Sequence, residues 1–502
     1  MKHMSAGKRI GIYTIGIIVF VMLSIFWLSV FFEFKLELLW TDRLIFLLVI
    51  IITVFVIYTR QHEHLSAPWR SVFHRRLAMI SLVILLLYVV TGLLDSIHFR
   101  LPLETQGEQA ETVQYSPEVL SVLDHLLAPL RTRTEKTYSA PFAVYSFSKE
   151  TIEMPDGSVK RDFLRLLHGG KHLRDPVNDR LPDIISKSIT GLIAGLIAWG
   201  FIVLIAIIWL AHKAKVTPGN MAGRIVRGKT DVPWHIILAT LGIIFVLTAL
   251  ALNLGTHYHI FGTDKVGQDV FYLTLKSVRT GLVIGTLTTM VMLPFAILLG
   301  IMAGYLKGWV DDAIQYIYTT LNSIPGVLLI AALILILQAY MNTHPELFSD
   351  ITTRADARLL ILCLILGLTS WTGLCRLLRG EALKLREADY IQAATAFGVG
   401  HFTIITRHIL PNVMHIVLIS VVLDFSGLVL AEAVLAYVGV GVDPSMNSWG
   451  NMINSARLEL ARDPVVWWSL IAAFVFMFTL VLAANLFSDA VRDAFDPRLR
   501  QR

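Results

Sequence analysis

A run of about 20 apolar residues is long enough, as a helix, to cross the roughly 30 Å hydrocarbon core of a bilayer. This sequence contains ten such runs: Ile10–Phe32, Leu44–Tyr58, Leu77–Leu94, Ile185–Leu210, His235–Leu254, Gly281–Tyr305, Ala313–Ala339, Leu359–Leu377, Val413–Tyr437 and Val465–Phe487. In hydrocarbon every backbone polar group must be satisfied within the chain, so runs of this kind leave only helix as a spanning form. The composition agrees. Of 502 residues, 55% are hydrophobic and 16% charged, against about 25% charged in soluble domains. Disorder and an ordinary soluble enzyme are both excluded.

The net charge of +6 would suggest nucleic acid in a soluble chain. Here the basic residues lie between apolar runs, where they orient spans. Lys2, Lys8 and Arg9 precede the first run. Arg60, Arg70, Arg75 and Arg76 lie between the second and third, and Lys213, Lys215, Arg224, Arg227 and Lys229 between the fourth and fifth. Arg376, Arg379, Lys384, Arg386 and Arg407 lie at or between the eighth and ninth. Arg492, Arg498, Arg500 and Arg502 follow the last. Ten alternating spans put all of them on one side, with both termini cytoplasmic. The first run is too long for a signal peptide and lacks a small-residue cleavage site, so it reads as a retained anchor. Cys363 and Cys375 read as small packing residues, not a disulfide framework.

The sequence divides into four stretches: 1–94 with three spans, 95–184, 185–232 with the fourth span and a linker, and 233–502 with six spans. The stretch 95–184 is polar and falls outside, as a small α+β extracytoplasmic domain. Ser116 is the candidate N-cap of a helix through Leu120, Leu123 and Leu127, ended by Pro129. Phe142 to Met154 reads as a strand, and Pro155-Asp156-Gly157 turns into a second. In the fourth span Gly191 and Gly195 make a small-xxx-small pattern suited to close helix contact.

Gly223 to Thr230 formally matches the phosphate-binding loop G-x-x-x-x-G-K-[ST]. That chemistry needs a strand before the loop and a helix opening at the lysine. Neither flank offers them, and a basic cytoplasmic loop is the preferred reading. His257 and His259, without a third ligand, are a weak metal signal and read as interfacial packing; His62 and His64 read as solvated on the cytoplasmic side.

The connection Arg379–Asn412 is the most informative polar segment. Leu383, Glu387, Tyr390 and Ala394 share a helical face by spacing. Ala393, Ala394 and Ala396 favour helix with little bulk, and Gly398 suits the left-handed position that ends one. His401 to Ile409 forms a second short helix, stopped by Pro411. Two short helices at a glycine hinge suit either docking or a connector lying on the lipid surface. Asp424 and Glu432 lie inside the ninth run, where ionisable groups face a cavity or a partner. They line a passage or hydrogen-bond neighbouring helices, or Glu432 sits near the outer interface.

These residues carry a resemblance. Gln392-Ala393-Ala394, Gly398 and Leu410-Pro411 are similar to the EAA loop of permeases of the oligopeptide/dipeptide/nickel ABC importers, with Gln392 where Glu is typical. Phe261 to Val270 with Arg279, Leu299 to Tyr305, Val310-Asp311-Asp312, Ala431 to Gly441, Ser448-Trp449-Gly450 and Asn485 to Leu499 resemble further segments of that family. Gln268 departs from a usual Arg, and Ala473-Phe474 stands where Pro-Gly is expected. The resemblance covers about Pro233 to Arg502. It implies an all-α polytopic protein with a six-helix type I core in the bacterial inner membrane. It implies no catalytic residue, cofactor or metal in this chain, with ATP and Mg held by partner subunits. The implied partners are a second permease, two ATPase subunits, an extracytoplasmic substrate-binding protein and membrane lipid. Asp389, Tyr390, Gln392, Ala393, Ala394, Gly398, Arg407 and Pro411 would couple to an ATPase, and Asp424 and Glu432 would be pore candidates. The other classes open to such a chain are a solitary secondary transporter or channel, which would need inverted repeats or a charge relay, and a membrane sensor or assembly factor.

Overall fold

The computed structural model describes residues 35–61, 63–102, 114–153, 159–348 and 350–495. The first apolar run, Lys2, Lys8, Arg9, His62, the turn Pro155-Asp156-Gly157 and the final stretch with Arg498, Arg500 and Arg502 lie outside them.

The elements run in order from a short strand β1 (Lys35–Glu37) to the helices α1 (Trp40–Gln61), α2 (Glu63–His74) and α3 (Arg76–Asp95). Strands β2 (His98–Arg100) and β3 (Leu120–Ser121), short helices α4 (Val122–Leu126) and α5 (Ala128–Arg131), and the hairpin β4 (Tyr145–Glu153)–β5 (Val159–Arg165) follow. Then come α6 (Arg180–Ala214), α7 (Pro218–Val226), α8 (Trp234–Gly255), α9 (Val270–Leu306), α10 (Trp309–Ser323), α11 (Gly326–Thr343), α12 (Ile351–Ser370), α13 (Thr372–Arg386) and α14 (Asp389–Ala396). A short helix α15 (His401–Ile404) passes through a π turn (Ile405–Ile409) into α16 (Leu410–Tyr437); α17 (Trp449–Glu459) and α18 (Trp468–Phe495) close the described chain. Among the described residues nine helical stretches are long and apolar enough to cross a membrane, one for each of the last nine runs. The protein is an all-α polytopic membrane protein with a small strand-bearing layer.

Several boundaries differ from the sequence reading, each for a physical reason. The run Ala313–Ala339 is two helices. Pro325 has no N–H, and the residue before it, Ile324, takes an extended backbone (φ −90°, ψ 130°), so α10 stops at Ser323 and α11 restarts at Gly326. Pro411 does not stop a helix. The π turn widens the ladder ahead of it, and Pro411 falls in the first turn of α16, where its missing N–H costs nothing. The helix expected from Ser116 begins at Val122. Its N-cap is Ser121, in a reciprocal capping box with Asp124, and Pro129 opens α5 instead of ending a helix. Ser116 only accepts from the Glu118 N–H. Leu383, Glu387, Tyr390 and Ala394 do not share one helix, because a turn at Glu387-Ala388 separates α13 from α14.

Packing sorts the connections into two ends. At the strand-bearing end β1 pairs with β2, and β2 with β3, all antiparallel, so the layer includes a strand from before the second run. Arg100 bridges to Asp350 there. At the other end Trp69, Val72 and Arg75 meet Phe495, Val491 and Asp493, and Lys307 meets Glu387. Every described basic residue assigned above to a short connection lies at this second, basic end. Within the bundle α3 packs on α18, α9 and α8, α1 on α12 and α9, and α6 almost wholly on α8. At Gly195 a Cβ would approach the Val246 Cα to 2.8 Å, so the α6–α8 contact needs a residue without one. Cys363 and Cys375 are buried, free and part of two apolar clusters.

Candidate coupling site

At the basic end α14 is held by one fully buried side chain. Ile391 enters a cluster with Leu378, Ala382, Ile404, Ile409 and Val413. Around it Asp389, Tyr390, Gln392, Ala393, Arg407 and Pro411 are exposed, and Ala394 is half-buried. The helix ends as its sequence demands: Gly398 takes φ +76°, while the N–H groups of Phe397, Gly398 and Val399 bond back to Ala393, Thr395 and Ala394. No neighbour lies within 4 Å of a Cβ at Gly398, so the backbone conformation alone requires glycine there.

Two residues that the spacing argument passed over dominate this surface. Phe397 is 88% exposed and Phe402 80% exposed, one on each side of Gly398. A phenylalanine on each side of the glycine turn was the available signal. Both are large exposed apolar groups beside a glycine turn.

Polar contacts tie this element to the bundle. Glu387 accepts from Lys307 Nζ at 2.9 Å, Tyr305 Oη meets His401 Nδ1 at 2.9 Å, and Asn412 Nδ2 donates to Tyr390 Oη at 3.2 Å. Arg379 donates from Nε and Nη2 to both oxygens of Asp311, at 2.6 and 2.8 Å. That hydrogen-bonded guanidinium holds the Asp311 carboxyl below its usual range.

The two intramembrane acids part company. On α16, Leu423, Gly427, Leu430, Val434 and Tyr437 form an exposed stripe. At about 100° per residue Glu432 falls nearly opposite that stripe, and Asp424 on its flank. Glu432 is buried against the start of α17, accepting from the Gly450 N–H at 3.2 Å. Ser448 caps the same helix. Asp424 is half-buried, and none of the described residues donates to it.

The Gly223–Thr230 segment is a helix end, not a phosphate cradle. Gly228 sits at φ +65°, and the Gly228 and Lys229 N–H groups bond to Ile225 and Arg224 within the turn. Those donors are therefore spent inside the chain.

The opposite end holds three ion clusters, largely buried, whose partners lie far apart in the sequence. Arg279 donates to Thr41 (2.8 Å) and Asp42 (2.6 Å), His98 Nδ1 meets Asp42 at 2.8 Å, and Asp356 binds the Thr41 N–H and hydroxyl. Lys276 binds Asp95, Asp124 and Ser121. His259 lies between Asp269 (2.7 Å) and Glu135 (3.3 Å). Burial opposes charge on that ring, but the two carboxylates outweigh it and push its pKa up to about 9. Burial also opposes charge on Glu135, yet hydrogen bonds from His259 and from the N–H groups of Leu167, His168 and Gly169 pull its pKa down to about 2. His257 lies nearby, with Lys187 at 3.2 Å.

A bundle of apolar helices with one lightly held, aromatic-tipped element at its basic end defines a class: a polytopic membrane protein that carries an exposed apolar element outside its spans. Comparison with known proteins narrows this. Residues 296–501 match the family model described as binding-protein-dependent transport system inner membrane component. The chain is 31% identical to the glutathione transport system permease protein GsiD of Pectobacterium atrosepticum, over 48% of this chain and 73% of that one. It is 31% identical to the oligopeptide permease OppC of Mycobacterium tuberculosis, over 48% of this chain and 77% of that one. The dipeptide permease DppC of Bacillus subtilis is 28% identical over 48% and 70%. The chain belongs to the family of binding-protein-dependent transport inner membrane components, with an N-terminal extension beyond the shared half.

Proposed function

We propose that this chain is the transmembrane permease subunit of an ATP-driven importer that moves peptides or similar small solutes inward by alternating access. The observation that carries this reading is the element around Gly398, lightly anchored and tipped by Phe397 and Phe402. In this reading Asp389, Tyr390, Gln392, Ala393, Ala394, Gly398, Arg407 and Pro411 lie at or beside the contact with an ATPase subunit. The chain does no covalent chemistry of its own; ATP and Mg belong to two partner ATPases. A second permease completes the passage, and a substrate-binding protein delivers solute from outside.

The basic end faces the cytoplasm, because Lys and Arg in short connections orient spans. The strand-bearing layer, including 95–184, then faces outward. Asp424, half-buried beside an exposed stripe, is the better candidate for the passage, since a carboxylate in a span faces water or protein and not lipid. Glu432, turned onto α17, serves instead to hold that helix.

The test is reconstitution of this chain with its second permease, two ATPases and binding protein. The expected result is a stable complex whose ATP hydrolysis rises with loaded binding protein. A chain that purifies alone and transports without ATP overturns the reading.

A further inference from the structure

The break between α10 and α11 and the coupling element lie on different parts of the chain, yet one set of side chains joins them. Along α10 the residues Asp311, Tyr318 and Asn322 are spaced by seven and four, on one helical face. Along α13, in reverse order, Arg379, Arg376 and Thr372 are spaced by three and four, also on one face. They meet pairwise. Arg379 grips Asp311 with two parallel hydrogen bonds of 2.6 and 2.8 Å, a geometry with directional strength. The Arg376 guanidinium lies 5.8 Å from the Tyr318 ring centre, within cation–π reach. Thr372 Oγ1 donates to Asn322 Oδ1 at 3.0 Å. Ile314 and Tyr318 share a buried cluster with Trp371, Leu374 and Cys375 between the rungs.

At its lower end α13 turns through Glu387-Ala388 directly into α14. At its upper end α10 stops at the Ile324-Pro325 break, and residues 322–328 are all exposed. The break lies where the spanning helix α11 begins, and α10 is the piece that joins that start to the docking end.

We propose that Asp311, Tyr318 and Asn322, seated on Arg379, Arg376 and Thr372, are positioning residues that carry displacement of α14 to the broken span, so that α10 and α13 move as one body. This rests on the importer reading above. ATP closing the partner subunits displaces α14 and α13; the ladder takes α10 along; the break at Ile324-Pro325 absorbs the change of direction and moves the exposed start of α11.

The experiment uses the full reconstituted complex, reading binding-protein-stimulated ATP hydrolysis and solute uptake against basal hydrolysis. Asp311→Asn is expected to lower stimulated hydrolysis and uptake about 10-fold, within the usual span of coupling energies, with basal hydrolysis and assembly kept. The exchange Asp311→Arg with Arg379→Asp should recover most of the loss. Tyr318→Leu should lower coupling while Tyr318→Phe, which keeps the ring face, should not. Crosslinking Asn322→Cys to Thr372→Cys with a short bis-methanethiosulfonate, which forms a disulfide to each thiol and releases two methanesulfinates, should leave uptake intact, because the rung stays closed through the cycle. If the Asp311 variant does not assemble, the tyrosine pair and the bridge decide. Unchanged stimulation in Asp311→Asn, no recovery on exchange, or loss of uptake on bridging overturns the ladder. Absence of stimulation in the unaltered chain overturns the importer reading itself, and the ladder with it.

Discussion

At the strand-bearing end, Glu135, His259, Asp269, Arg279 and Asp42 are buried, Lys276 is half-buried, and all six are paired. At the basic end, α14 has one buried side chain and two nearly bare phenylalanines beside it. The first arrangement is costly to disturb, because removing one partner strands a buried charge. The second gives up little when it moves, since few buried contacts hold it. The difference teaches where this chain is meant to be finished and where it waits for something else. The strand-bearing end pairs its charged groups internally, with Arg279 Nε left over, while the basic end leaves Phe397 and Phe402 bare.

The largest expected effect is at Gly267. It sits at φ +80° with the Glu135 carbonyl against the place a Cβ would occupy, and its own carbonyl accepts from the Glu135 N–H. Gly267→Val should cost more than about 4 kcal/mol. Size-exclusion of the detergent-solubilised chain should show little folded protein, and a normal monodisperse peak would break the contrast between the two ends. His259→Ala comes next, with about 3–5 kcal/mol for a buried pair deprived of one partner, read as a drop in thermal midpoint. A drop no larger than that of an exposed control such as Thr406→Ala would show the cluster to be idle.

The same cluster sets a pH dependence. The His259 pKa lies above its ordinary 6.5, at about 9. Its contribution is therefore complete below about 6.5 and lost as pH rises through about 9. The Glu135 pKa lies below its ordinary 4.5, at about 2, so its contribution is complete above about 4.5 and lost as pH falls through about 2. The thermal midpoint should decline from pH 7 to pH 9.5, and His259→Gln should flatten that decline. An equal decline in both chains sinks the assignment.

Phe397→Ala with Phe402→Ala should leave stability within about 0.5 kcal/mol, as for exposed sites. The pair should nonetheless weaken ATPase capture by about 2 kcal/mol, or roughly 30-fold, the scale of an interface anchor. Unaltered capture in a pull-down titration would remove these residues from the interface. The smallest effect is Gly398→Ala, about 1 kcal/mol from the left-handed backbone alone, and any larger loss of stability would mean that hidden contacts exist there.

Run length and loop charge made the spans legible, because both are local and both scale with what a membrane demands. The glycine end of α14 was legible for the same reason: a positive φ is a property of one residue. The break at Ile324-Pro325 was legible in the same way, because Asn322-Ser323 and Pro325-Gly326 interrupt the apolar run there, but the run length outweighed that local signal. Pro411 could not be read, because the π turn that accommodates it leaves no compositional trace. The ion clusters were the most hidden. Thr41 and Asp356 are 315 positions apart, and Glu135 and His259 are 124 apart, so no spacing rule reaches them. Glu432 stood open between a passage and a neighbouring helix, since spacing cannot choose between them; it accepts from the backbone of a helix 18 residues on.

Arg279 has a consequence for how this chain can be taken apart. Its guanidinium lies on α9, the helix that runs into the family match at residue 296, but Thr41 and Asp42, its nearest partners, lie on α1. Cutting the chain near Pro233 to free a minimal permease would leave that cation facing Asp356 alone at 3.6 Å, in a hollow from which α1 had been withdrawn. A chimera that keeps this core must carry Thr41 and Asp42 with it, or replace Arg279 as well.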